Sequence, residues 1–464
     1  MDHTSCKPPK CEYSKRWNKC VLPNAYNEKM AWCKRKQIDH LKCRAEYNSE
    51  DAKKHACTYL AERKTQKMEE KNPKDKVPKR KIVKAKRTIP LPNITEELKR
   101  KAGTKIANFL KKNILNKTET LGNRIKYFHY IQNFLKDVDN RTCLKPVQIP
   151  EKQMEGFEIK ENIRLMKQIG THSVNGVIYK TTAKHVFFSV ASKIMEVHKR
   201  NQFEIFLNTI VTQLVLHQLS RHFVMTYKVL KCIRNLNHKN IPYNLRFKPY
   251  YVSINELAHG DLKQLCQQGD YLQNEDDVLN ACFQTLLSIY TFHTAGYTHN
   301  DCHWGNFLYH HNKHIDGYYH YQVAGKDIYL KSCAYTFMIA DFGLSKQIND
   351  TPNSTYLKLQ DYSRILNAFI LQVQGGWIDG RNTHLIYKIS NYVKDLRNRL
   401  SSLNPTNLIL EEKFFSQIII PFMLLSPIQN IVMQKISSRP INSIPFIIDK
   451  TRLTTLSPVH LSVS

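Results

Sequence analysis

The sequence predicts an α+β fold in which a small strand-rich region precedes a larger helical one, with a basic, mainly helical extension in front. Three observations carry this expectation. Around Ile159 the chain turns to short β-branched runs broken by Gly and Asn, the texture of strands and turns. After about Asp276 apolar residues recur at three- and four-residue steps, as in Leu279, Cys282, Leu286, Leu287 and Tyr290. The same spacing runs from Glu96 to Asp137 through Leu98, Ile106, Phe109, Leu110, Ile114, Ile125, Phe128, Ile131 and Phe134, predicting one or two helices that pack on the strand-rich region.

The chain has 464 residues, enough for two or three domains, and 42% hydrophobic content supports a sizeable core. Its net charge of +31 is uneven: residues 1–150 hold 37 Lys+Arg against 16 Asp+Glu, a net of +21, and the remainder only +10. Such a basic segment implies an acidic partner: nucleic acid, an anionic surface or an acidic protein. Within it, "KNPKDKVPKRKIVKAKR" (residues 71–87) crowds cations around two prolines and reads as an extended linker. Lys74 to Arg87 can serve as a nuclear-localisation or nucleic-acid-binding patch, or simply as a solvated tether. The expected domains are a Cys-containing module over 1–70, the linker over 71–95, a helical segment over 96–155, the strand-rich region over 156–260 and the helical region over 261–464.

Six cysteines (Cys6, Cys11, Cys20, Cys33, Cys43 and Cys57) fall in the first module without a Cys-x-x-Cys knuckle. With His3, His40 and His55 a metal site stays open, but reduced thiols are favoured. The start "MDHTSCKPPK" has no apolar core for a secretory signal, which also disfavours disulfides. The densest apolar run, Ile418 to Leu425, is interrupted by Pro421, so no membrane span is expected and the protein is read as intracellular.

The chemistry concentrates in two segments. In "YTHNDCHWGNFLYH", Asp301 lies two residues after His299 and five before Asn306. Phosphoryl transfer needs a carboxylate to orient and deprotonate an attacking hydroxyl and a side-chain oxygen to hold Mg²⁺, and one tight loop can supply both. A helix expected from Val278 to Thr294 supports that loop. In "FMIADFGLSK" a short apolar strand delivers Asp341 to a Phe-Gly turn, where its carboxylate can chelate a phosphate-bound Mg²⁺. Upstream, "FFSVASKIM" places Lys193 after Val190 and Ala191 on a strand, suited to pairing the α- and β-phosphates. The preceding "KQIGTHSVNGVIYK" offers Gly170 and Gly176 for a hairpin whose backbone N–H groups approach phosphates. Glu204 opens an amphipathic helix with Phe206, Ile210, Leu214 and Leu216 behind it. It is the expected partner of Lys193, or alternatively a first-turn acid favoured by the helix dipole. In "YYVSINELAHGDLKQL" a strand, Tyr250 to Ile254, leads to a helix near Asp261, with Asn255 to Leu257 between them as an adenine-binding connection.

These residues resemble the eukaryotic-type protein kinase superfamily, and more narrowly the serine/threonine kinases of large cytoplasmic DNA viruses such as iridoviruses and mimiviruses. The narrower likeness rests on "HTAGYTHNDCHWGNFLYH" and on "GYYHYQVAGKDIYLKSCAYTFMIADFG", which is similar to that group's extended hairpin. The motifs span about Ile169 to Asp361. The resemblance implies a bilobal protein-kinase-like fold and a serine/threonine kinase using ATP and Mg²⁺. Asp301 is then the base, Asn306 and Asp341 the metal ligands, and Lys193 with Glu204 the activating pair. The nucleotide would meet Ile169, Gly170, Thr171, Gly176, Val177, Ala191, Lys193, Asn255, Glu256 and Leu257. The host cytoplasm or the virion is the implied location.

Four departures qualify it. Asn300 stands where regulated kinases carry an Arg that grips a phosphorylated loop, only 20 positions separate Asp341 from Asp361, and no Ala-Pro-Glu follows Asp341. Asp361 begins "DYSRILNAF", similar to the helix that anchors the catalytic loop. Constitutive competence follows as an expectation. His303 replaces the usual loop Lys, and Asp-x-His-x-Gly-Asn is shared with aminoglycoside, choline and atypical kinases. His303 can donate to the γ-phosphate or pack in the loop. The acceptor is therefore a protein hydroxyl, with an acidic protein or nucleoprotein fitting the basic arm, or alternatively a small molecule. A nucleic-acid-binding virion component is the non-enzymatic alternative.

Overall fold

The computed structural model describes residues 12–14, 19–21, 120–149, 154–160, 163–173, 176–183, 186–268, 272, 274–311, 316–349, 351–371, 383–403, 426–449 and 453. The chain divides into two compact units, Met1–Pro92 and Asn93–Ser464, with the division inside the expected 71–95 linker. In the first unit strands β1 (Glu12–Ser14) and β2 (Lys19–Val21) pair antiparallel. The rest of the 1–70 module, its cysteine side chains and the polybasic segment lie outside the described residues.

In the second unit, helix α1 (Leu121–Leu135) starts at Thr120, whose hydroxyl accepts from the Asn123 N–H at 3.3 Å. Arg124, Tyr127, Phe128, Ile131 and Leu135 form its buried face. The helical expectation for 96–155 is corrected beyond Leu135. Strands β3 (Lys145–Ile149) and β4 (Met154–Lys160) follow, because Phe157 and Ile159 alternate into the core with period two. Residues 96–119 lie outside the described set.

Next come β5 (Ile163–Ser173), β6 (Gly176–Ala183), β7 (Val186–Glu196), α2 (Lys199–Leu216), β8 (Thr226–Cys232), the turn α3 (Tyr243–Arg246) and β9 (Tyr250–Glu256). The strands form one curled antiparallel sheet in the order β3-β4-β5-β6-β7-β9-β8. A Cys143–Cys232 disulfide across 89 positions joins the chain just before β3 to the end of β8, although the lack of a secretory signal disfavours disulfides; the six cysteines expected as reduced thiols lie in the 1–70 module. Cys266, Cys282, Cys302 and Cys333 are free and buried.

The second half contains β10 (Gly260–Asp261), α4 (Leu262–Gln268), α5 (Glu275–Thr294), β11 (Tyr297–Thr298), β12 (Phe307–His311), β13 (Tyr318–Val323), β14 (Lys326–Lys331), β15 (Tyr335–Ile339), β16 (Lys346–Gln347), α6 (Pro352–Asn367), α7 (Thr383–Ser402), α8 (Ser426–Gln429), β17 (Val432–Met433) and β18 (Phe446–Ile448). Asn274 caps α5 by accepting from the Asp277 N–H at 2.8 Å, and every residue from Val278 to Thr294 is buried. The insert forms the expected hairpin: β13 and β14 pair across Ala324 and Gly325, both left-handed (φ 48° and 74°), as a two-residue turn between twisted strands requires.

The region after 378, expected to be mainly helical, is only partly so among the described residues. Helix α7 is followed by β17 and β18, which flank the hairpin in the order β17-β14-β13-β18, with β18 parallel to β13. Two- and three-residue strands leave no periodic signal. No helix of the described residues is long and apolar enough to cross a membrane, and Ile418 to Leu425 lies outside them.

Candidate functional site

Lys193 sits in the middle of β7. Its Cα partners are Ile178 on β6 and Ser253 on β9, and Ile178 in turn faces Ile169 on β5. Directly opposed residues of antiparallel strands share a face, so Ile169, Ile178, Ala191 and Lys193 line one side of the sheet. Val177, one residue away, opposes Ile194 on the other side and is fully buried there. The sheet thus brings Ile178, not Val177, to the lysine's face. Gly170 has φ +74° at a register shift, and Gly176 opposes Ser173 at the hairpin end; the Thr171 side chain lies outside the described set.

Lys193 Nζ donates to Glu204 Oε1 at 2.6 Å and to Asp341 Oδ1 at 3.0 Å. Glu204 is therefore the buried partner of the lysine; it neither opens α2 nor lies in its first turn, because the helix already starts at Lys199, and Phe206, expected behind it, is partly exposed. Burial opposes the Lys193 charge, but the two carboxylates outweigh it and raise its pKa. Burial also works against the Asp341 carboxylate, and Lys193 overcomes it, holding Asp341 below its usual range. Asp341 itself is left-handed (φ 63°), a conformation Asp tolerates.

The loop between β11 and β12 is held from beneath by Asp361. This buried residue lies within α6 rather than at its start, and its carboxylate accepts the His299 and Asn300 N–H groups at 2.7 Å each. His293 Nε2 lies 3.0 Å from the same carboxylate. The His299 ring accepts from the Asp301 N–H at 3.3 Å through Nδ1, so its proton sits on Nε2, which donates to the Ala340 carbonyl at 3.0 Å. Asn300, immediately before Asp301, adopts φ 64°, a left-handed conformation that Asn tolerates.

Asn306 donates its amide to Asp301 O at 2.9 Å and Asp301 Oδ2 at 3.2 Å. Its Oδ1 is thereby the atom left for a ligand. The Ala340 N–H donates to Asn306 O at 2.9 Å, and Phe307 opposes Ile339, so Asn306 and Asp341 emerge at the same end of the β12–β15 ladder. His303 accepts from the Gly305 N–H through Nδ1 at 3.1 Å and turns Nε2 towards Asp301 Oδ2 at 3.5 Å. It packs as a cap on the 304–306 turn and faces the carboxylate. Arg364 of α6 donates to Asn300 O at 2.8 Å and lies 3.4 Å from Asp301 Oδ1. The His303 contact, helped by Arg364 and opposed by burial, holds the Asp301 carboxyl below its usual range.

At the end of β9 the Asn255 side chain accepts from Thr226 Oγ1 at 2.7 Å and from Ser253 Oγ at 2.9 Å. Glu256 turns its carboxylate inward and buries it, and its N–H donates to Met225 O at 2.8 Å. The chain leaves the ladder at Leu257.

No protein-family model matches the chain, and no curated protein matches it.

The arrangement rests on its own geometry. It collects one ammonium, three carboxylates and an amide oxygen along a line from β7 to the loop at Asp301. Among the described residues no group of three His, Cys, Asp or Glu side chains could hold a metal ion. Asn306 and Asp341 offer two hard oxygen donors, which suits Mg²⁺, an ion that commonly takes its other ligands from phosphates and water. Ile178, Arg200 and Arg364 were not legible as site residues. Arg200 of α2 donates through Nε to the Gly343 carbonyl in the Asp-Phe-Gly turn, a contact that sequence spacing does not reveal.

Proposed function

We propose that the chain is an ATP-dependent phosphotransferase with a bilobal protein-kinase-like fold, transferring the γ-phosphoryl group to a Ser or Thr hydroxyl of a protein. The observation that carries this reading is the Lys193–Glu204–Asp341 chain of contacts, 2.6 and 3.0 Å long, next to the Asp301–Asn306 pair. In this reading Lys193 holds the α- and β-phosphates and Glu204 keeps its ammonium aimed. Asn306 and Asp341 hold Mg²⁺, which when bound neutralises charge on the phosphates. Asp301, kept ionised by His303 and Arg364, orients the acceptor hydroxyl and takes its proton. The acceptor oxygen forms the new bond to the γ-phosphorus, the bond to the β-bridging oxygen breaks, and ADP leaves with that electron pair.

The basic N-terminal part favours an acidic protein or nucleoprotein as substrate. The deciding experiment is Asp301→Asn assayed with labelled ATP and a mixture of acidic and basic proteins. Transfer should collapse, and retained transfer would refute Asp301 as the base.

A second reading, a small-molecule phosphotransferase on the same fold, draws on the Asp-x-His-x-Gly-Asn loop, in which His303 caps the 304–306 turn. Turnover of an amino alcohol without transfer to any protein would favour it.

A further inference from the structure

The first turn of α1 carries an arginine in the middle of an apolar stripe. Arg124 is 2% exposed, yet nearly all of its donor capacity is used. Its Nε and Nη2 each donate at 2.8 Å to the two oxygens of Glu256, a bidentate pair. Its Nη1 donates to Arg221 O and its Nη2 to Phe223 O, both at 2.6 Å. Glu256 completes the cluster: His310 Nε2 lies 2.9 Å from Oε1, and the Met225 N–H donates to Oε2 at 3.2 Å. Four chain segments, α1, residues 221–225, the end of β9 and β12, therefore meet on one carboxylate directly behind residues 255–257.

A buried ion pair of this kind is poor evidence for stability, because desolvating two charges offsets much of their attraction. What it supplies is geometry. The guanidinium fork allows one placement of the Glu256 carboxylate, and thus one path for the backbone that carries it. This inference rests on the reading proposed above together with the expectation that residues 255–257 meet the adenine: with the Glu256 N–H held by Met225 O, the backbone groups left free there are the ones that would meet the base. We infer that Arg124 is a positioning residue for nucleotide binding, and that the helix preceding the sheet is part of the ATP site rather than an appendage of it. Lys193, Asp301 and Asp341 lie on other elements, so the effect should fall mainly on nucleotide affinity.

The test uses the full chain. Nucleotide affinity is read with a fluorescent ATP analogue, transfer with labelled ATP, and folding by thermal unfolding, for wild type, Arg124→Met, Arg124→Lys and Glu256→Gln. The inference expects Arg124→Met to weaken nucleotide binding by about tenfold or more. Its kcat at saturating ATP should fall less than its Kd rises. Arg124→Lys should be intermediate, since an ammonium reaches one carboxylate oxygen but cannot span both and two carbonyls. If Arg124→Met does not fold, Arg124→Lys and Glu256→Gln carry the same comparison. Variants that melt earlier yet bind nucleotide as wild type does would overturn the inference and reduce Arg124 to a packing role. Wild type that binds nucleotide but transfers nothing would sink the phosphotransferase reading alone, with the Kd series still deciding the role of Arg124. Wild type that binds no nucleotide would sink both.

Discussion

Asn300 donates its side-chain amide to the main-chain carbonyl of Leu344 at 3.0 Å. This side chain thus ties the segment after Asp-Phe-Gly directly to the loop bearing Asp301. Arg200 ties the same segment to α2 through the Gly343 carbonyl, and β11 pairs with β16 beside it. None of these links involves a phosphate. Phosphatase treatment should leave activity unchanged, while Asn300→Ala should lower transfer by roughly tenfold through loss of loop geometry. Activity lost on phosphatase treatment would count against this mode of holding the segment.

Asp301 lies between two cationic or hydrogen-bonding neighbours, His303 and Arg364. Both favour its ionised form, so its carboxyl titrates lower with them than without them. Arg364→Ala should therefore move the acid limb of the kcat/KM profile to higher pH. Because Arg364 is 47% exposed on its side chain, the shift should shrink in high salt. An acid limb that stays in place at low ionic strength would contradict the coupling.

Gly176 is required by space. A Cβ there would lie 2.5 Å from the main-chain oxygen of Ile194, which cannot swing aside. Gly176→Ala should destabilise the protein by about 1–3 kcal/mol, read by denaturant unfolding. At Gly170 a Cβ meets nothing within 4 Å, and only the left-handed backbone resists it. Gly170→Ala should cost about 1 kcal/mol.

The Asp361 carboxylate accepts two main-chain N–H groups and faces His293 without exposure to solvent. An amide offers one acceptor oxygen in place of two and adds donors with no waiting partner. Asp361→Asn should lose about 1–3 kcal/mol of stability. Transfer by the folded fraction should drop as well, since residues 299–301 lose their support. A variant with wild-type kcat would show that the loop is held by other means.

Reducing the Cys143–Cys232 disulfide should lower the unfolding free energy by about 2–4 kcal/mol, because it closes a long loop in the unfolded chain. Unfolding in denaturant with and without a thiol reductant measures this. Cys143→Ser with Cys232→Ser should match the reduced protein and be insensitive to reductant.

What the sequence revealed was local. Asp301 and Asn306 lie five residues apart, and Asp341 lies two residues past a buried strand, so their spacing is visible in one dimension. The Lys193–Glu204 pair, 11 apart, was within reach of the same reasoning. Arg124 and Glu256 are 132 residues apart, and an arginine on an otherwise apolar helical stripe looks like a break in the pattern rather than its purpose. Ile178 was missed for Val177 because strand register has a period of two, and a one-residue error exchanges the two faces of the sheet. The strand Lys145–Ile149 was hidden by the apolar helical run before it, whereas β4 falls mostly within the strand-rich region expected from 156.

The hairpin of β13 and β14 is flanked on both edges by strands from the far end of the chain. Its backbone donors and acceptors along those edges wait for a stretch emerging from the ribosome roughly a hundred residues later, a delay during which open strand edges invite pairing with another chain. Translation that stops before Val432 should accordingly yield a product prone to aggregate even though Lys193, Asp301 and Asp341 have all been synthesised.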